Sequence, residues 1–238
     1  IWLLISLLVL IFLPITSYYL VKNINLDSRE KTIETKVEEE NIKQWKRSEV
    51  IKDYRFYIIN LNMLAMPWIA TGSFVYQSFI SDSKGWGQYI IAQSFMSYSV
   101  LSVITLLISG FLIDKFTSRK LLIYMNIPLF LSVLTIIYFN LPFSAFIFFG
   151  LLGVTNGLAN LLGSSIWAEI YGVKHIGSIK ALTTALMVFA TAFGTALFGI
   201  LIDNGFTIEK IAVVSGVYIL ASITALFFIR NRLNPVNI

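Results

Sequence analysis

The side chains able to do chemistry are few and of two kinds. Two Gly-x-Leu-Ile-Asp stretches, Gly110 to Asp114 and Gly199 to Asp203, each end in a carboxylate, and the first runs on into Lys115, Arg119 and Lys120. A carboxylate so placed can hold a helix N-terminus or an arginine, worth about 0.3–1 kcal/mol when exposed and up to ~2 when half-buried. The second kind is a set of uncharged polar groups scattered through apolar sequence: Asn60, Asn62, Gln77, Tyr89, Gln93, Asn156 and Asn160. They donate and accept hydrogen bonds, which suits holding a solute. Covalent chemistry has little to work with. The chain has one histidine, His175, no cysteine and no cluster of acids at one depth, so no catalytic residue, metal site or cofactor is expected.

Composition says what must carry these groups. Of the 238 residues 57% are hydrophobic and 13% charged, against about 25% charged in a soluble domain. A bilayer is the solvent that fits. Seven apolar segments, near 1–20, 56–80, 86–113, 121–139, 143–166, 179–202 and 210–230, are each long enough to cross about 30 Å of hydrocarbon as a helix. The fold expected is all-α and polytopic, with seven transmembrane helices. Residues 1–20 lack the basic flank and cleavage site of a secretory signal, and a chain opening inside a spanning helix is expected to have sequence upstream.

One connection differs from the rest. Residues 21–55 hold nine Lys or Arg and eight Asp or Glu, a solvated linker with Glu and Lys at helical spacing near its middle. The domains expected are 1–20, the linker 21–55, a six-helix bundle over 56–230 and a tail over 231–238. Nine basic residues in the linker, three near 114–120, two in 168–180 and two in the tail fall on one side of the membrane, leaving Lys84 and Lys210 on the other. The net charge of +5 therefore reports orientation and not a nucleic-acid partner. The linker and C-terminus are expected in the cytoplasm of a cell (inner) membrane protein.

Three crossings separate Asp114 from Asp203, so the two motifs lie on opposite faces. Segments two to four and five to seven then form triplets, with the motif ending the middle helix of each. This is the pattern of an inverted-topology repeat. It also explains why only one copy carries Lys and Arg.

"GFLIDKFTSRK" resembles the loop signature of the major facilitator superfamily, roughly Gly-x-Leu-Ala-Asp-Arg-x-Gly-Arg-Arg/Lys. Gly110, Leu112, Asp114, Lys115 and Arg119 match, while Thr117 and Ser118 stand where Gly and a basic residue are usual. The resemblance implies helix six, the central linker and helices seven to twelve of a secondary transporter, with a six-helix N-terminal half as partner. It implies a latch role for Asp114 with Gly110, Lys115 and Arg119, and a cavity lined by helices seven and ten. "WAEIYGVKHIGSIKAL" at 167–182 is similar to the corresponding loop near the bacterial monocarboxylate and oxalate/formate branch, as is "WKRSEVIKDYRFYII" at 45–59 at the start of helix seven. On that likeness the solute expected is a small organic anion.

Within the fifth segment Gly153, Asn156, Gly157, Asn160, Gly163 and Ser164 share an arc of about 120°. This stripe either lines a cavity or packs closely through small residues. Pro67 is expected to bend the second segment. Thr183, Thr184, Ala190, Thr191, Gly194 and Thr195 are expected to pack against another bundle. No Asp, Glu, Lys, Arg or His lies deep in any segment, so these segments offer no candidate proton carrier or fixed counter-ion. A rhodopsin is excluded by the absence of lysine from 211–229. Drug or metabolite efflux, and a non-transporting receptor or sensor, are the alternative readings.

Overall fold

A computed structural model describes residues 10–12, 14–16, 18 and 43–236, apart from the side chain of Asp114. The chain divides into two compact units, Ile1–Asn41 and Ile42–Ile238. In the first, the described residues are helical, with the Thr16 hydroxyl donating to Phe12 O at 2.8 Å. Most of the expected first helix and of the charged linker lies outside the described residues.

In the second unit the elements are α1 (Arg47–Val50), α2 (Tyr54–Met63), α3 (Ala65–Val75), α4 (Gln77–Lys84), α5 (Gln88–Phe116), α6 (Ser118–Tyr124), α7 (Ile127–Tyr138), α8 (Phe143–Tyr171), α9 (Ile176–Asp203) and α10 (Ile208–Ile229). Among the described residues there is no strand. Among the described residues six spans are long and apolar enough to cross a membrane: Tyr54–Val75, Gln88–Ile113, Ser118–Tyr138, Phe143–Tyr171, Ile176–Asp203 and Ile208–Arg232.

The second segment, expected as one helix, is broken at Leu64 and Tyr76. The first break lies three residues before Pro67, whose missing amide deprives Met63 O of its helical partner. The helix then continues past the expected end to Lys84, where Gly85 turns left-handed at φ 65° and Trp86 N closes on Ser81 O at 3.0 Å. Residues 43–53, read from sequence as linker, pack onto the bundle, and Val50 is fully buried.

Two helix pairs approach closely through glycine. A Cβ at Gly153 or Gly157 of α8 would sit 2.3 Å from Tyr98 O or 2.6 Å from Ser102 O of α5. A Cβ at Gly194 of α9 would sit 2.2 Å from Trp68 O of α3. These pairs are symmetry mates. Exchanging the triplet α2/α3, α5, α6/α7 for α8, α9, α10 turns the α8–α5 contact into α3–α9. It turns α8–α7 into the contact of α2 and α3 with α10, and returns α7–α10 to itself. All of these contacts are present, as a two-fold axis in the membrane plane requires.

The expected interface on α9 is placed differently. Thr183, Ala190 and Gly194 are buried inside the bundle, and the exposed flank carries Ala181, Thr184, Ala185, Val188 and Ala192. Backbone proximity to α3 selects the side with Gly194, because only a residue without Cβ tolerates it. The spans of α5 and α9 are the least enclosed, with 6% and 17% of their most apolar windows buried.

Candidate functional site

Each end of the bundle is tied by charged groups. At the end bearing the linker, Asp53 caps α2 by accepting from Arg55 N at 3.0 Å, and its other oxygen accepts from Arg55 Nε at 2.8 Å and Tyr171 OH at 3.2 Å. Arg55 Nη1 donates onward to Arg232 O and Asn234 O at 3.2 and 3.0 Å, fastening the tail. Both charged side chains are buried, a placement tolerated because the charges pair with each other and with further hydrogen-bonding groups. At the opposite end Lys84, its side chain 1% exposed, bonds Glu209 at 2.6 Å and Asn140 Oδ1 at 2.8 Å. The residues around Lys84 have the composition of an exposed turn, but the continuation of α4 carries its side chain inside.

The basic motif loop is also held within the bundle. Arg119 Nε donates to Glu169 of α8, Ser118 N donates to the other Glu169 oxygen at 2.8 Å, and Arg119 Nη1 donates to Asn234 Oδ1 at 2.7 Å. Glu169 escapes sequence reading because the stretch 168–180 has the composition of a loop, whereas α8 runs to Tyr171. Thr117, between α5 and α6, has φ 69°. A β-branched residue is strained there, which explains why glycine is usual at that place in the resembling signature. A Cβ at Gly110 would meet nothing within 4 Å, so no described residue requires its smallness. Lys115 is exposed, and the Asp114 side chain lies outside the described residues.

The uncharged polar residues separate into three groups. Asn62 is fully buried and bridges three spans: its Nδ2 donates to Leu122 O at 3.2 Å, its Oδ1 accepts from Asn126 Nδ2 at 2.9 Å and from Ser222 Oγ at 3.4 Å. Asn60, also buried, returns its amide to Phe56 O of its own helix at 2.7 Å. Asn156 sits in the α5–α8 seam with Nδ2 on Ser102 Oγ at 2.8 Å, and exposed Asn160 donates to Asn156 O at 2.9 Å.

Gln77 is the candidate that lines a cavity. Between α4 and α5, at the end opposite the linker, a pocket of about 300 Å³ is bounded by Gln77, Ser78, Ser81, Gln88, Ile91, Ala92 and Phe95. Ser81 is 1% exposed and its hydroxyl lacks a partner among the described residues. Ser73 and Ser94 instead return their hydroxyls to Ile69 O and Ile91 O at 2.8 and 2.7 Å. Tyr89 is 74% exposed and Gln93 half-buried, and neither lines this pocket. Ser81 escapes sequence reading because "SDSKGWG" at 81–87 has the composition of a turn, and Ser78 because a single serine in an apolar run carries no signal of its own.

The family model of the Major Facilitator Superfamily matches residues 57–237, and the chain belongs to that superfamily. The protein is a multi-pass membrane protein of a transporter family, and the match selects no branch within it. No curated protein and no solved structure matches the chain.

Proposed function

We propose that the six-helix bundle is one half of a secondary transporter that moves a small organic anion, of monocarboxylate type, by alternating access. A second six-helix bundle completes the cavity against the open flanks of α5 and α9. The linker and C-terminus face the cytoplasm of the cell membrane, as the crowding of Lys and Arg at that end favours. Asp114 serves as latch carboxylate with Lys115 and Arg119 beside it.

The observation that carries the reading is the superfamily match over a bundle of swapped triplets with a polar pocket at one end. Gln77 and Gln88 amides and the Ser78 and Ser81 hydroxyls are donors able to hold a carboxylate, while the counter-charge comes from the other bundle. The branch assignment rests on the likeness of residues 45–59 and 167–182 alone. A second reading, export of an uncharged metabolite or drug, is favoured by the absence of any charged side chain from the pocket lining among the described residues.

Counterflow into proteoliposomes by the full-length protein decides between them, using labelled L-lactate, oxalate and glycerol. Saturable lactate or oxalate flux, with KM raised by Gln77→Leu and Ser81→Val, supports the anion. Flux of glycerol with none of either carboxylate overturns it in favour of the uncharged solute.

A further inference from the structure

A second cavity lies at the linker end, outside the polar pocket and the ion pairs. The chain reverses at Thr117, and the diverging ends of α5 and α6 enclose about 410 Å³ lined by Leu112, Phe116, Lys120, Leu121, Ile123 and Tyr124. Five of these six are apolar or aromatic. Phe116 and Tyr124 stay 41% and 61% exposed, so the groove opens outward from the bundle.

The three basic residues of the motif loop divide their work here. Arg119 turns inward to Glu169 and Asn234. Lys120 lines the groove, and Lys115 places its ammonium 5.4 Å from the Phe116 ring. Among the described residues neither lysine has an acidic partner. The groove thus combines an apolar trough, which offers an acyl chain contact without demanding hydrogen bonds, with two cations at its rim. A peptide laid in the same trough would strand backbone polar groups against apolar walls.

We propose that this groove binds one anionic phospholipid, its acyl chain along Leu112, Phe116, Leu121 and Ile123 and its phosphate between Lys115 and Lys120. Lysine beside an anionic membrane surface contributes roughly a fivefold preference each, and long lysine stems let the charge reach the headgroup while the methylenes cover apolar surface.

The test is lipid retention by the full-length protein, extracted from vesicles of equal phosphatidylglycerol and phosphatidylcholine and read by native mass spectrometry. The wild type retains phosphatidylglycerol in preference. Lys120→Gln lowers that preference about fivefold, and Lys115→Gln with Lys120→Gln abolishes it. Lys174→Gln with Lys180→Gln removes equal charge from the same end and leaves the preference in place. Unchanged retention in the Lys115/Lys120 variant overturns the proposal, as it would if protein covers the groove. An equal loss in the Lys174/Lys180 variant overturns it in favour of diffuse surface charge. Displacement of the lipid by millimolar glycerol 3-phosphate overturns it in favour of a soluble phosphate site.

Discussion

Substituting Gly153 by alanine tests the packing on which the swapped triplets depend. The new Cβ would lie 2.3 Å from Tyr98 O, a backbone atom that no rotamer change can move. Relief requires α5 and α8 to part by about 1 Å, since ordinary contact begins near 3.5 Å. Overpacking of this kind costs about 1–3 kcal/mol, and helix propensity returns at most about 1 kcal/mol. The net expectation is a loss of about 1–2 kcal/mol. A Cβ at Gly177 of α9 would meet nothing within 4 Å, so Gly177→Ala keeps the propensity gain alone. Tryptophan fluorescence during unfolding by rising dodecyl sulfate reads both, since Trp68 and Trp167 are buried in the core. Gly153→Ala as stable as wild type, or Gly177→Ala destabilised equally, would show that the close approach of α5 and α8 does not depend on glycine.

Four further expectations follow from single contacts. Asn62 and Asn126 should show a coupling of about 0.6–1.7 kcal/mol in a double-mutant cycle to alanine, because Asn126 Nδ2 donates to Asn62 Oδ1 inside the bundle; additive losses would mean the bond contributes nothing. Thr117→Gly should raise stability by about 1 kcal/mol, the relieved strain exceeding the added chain entropy, as a higher melting temperature in detergent would record. Glu169→Gln should loosen the motif loop and tail together, since the carboxylate holds Arg119 and Ser118 at once, and increased proteolysis near Asn234 would report it. Asp114→Asn in the full-length protein should lower uptake up to about tenfold at equal membrane abundance if the carboxylate is the latch; equal uptake would remove that role.

The spans are legible in the sequence because bilayer-length apolar runs and a doubled motif are one-dimensional signals. The breaks at Leu64 and Tyr76 are less so, and only Pro67 points to the first. Asn62 and Asn160 look alike in sequence, both amides within apolar helices. One is enclosed by Leu122, Asn126 and Ser222 and the other exposed, a difference set by partners up to 160 residues away. Ser81 and Glu169 read as loop because helices here run beyond their apolar stretch, and composition marks where lipid contact ends instead of where hydrogen bonding does. The face of α9 that enters the bundle is hidden for a related reason. Small residues lie on both sides of that helix, and periodicity alone does not say which side another backbone approaches.

Alternating access is tested most directly at the two ends of the bundle. These 238 residues hold no cysteine, so thiols placed at Ser78, in the lining of the polar pocket, and at Ser164, exposed near the other end of the bundle, are the only ones among them. In the full-length protein carrying Ser78→Cys and Ser164→Cys, a bulky impermeant maleimide attached at position 78 should hold that end open. Labelling at position 164 from the opposite face should then slow severalfold. A rate at 164 that stays the same or rises would contradict alternating access.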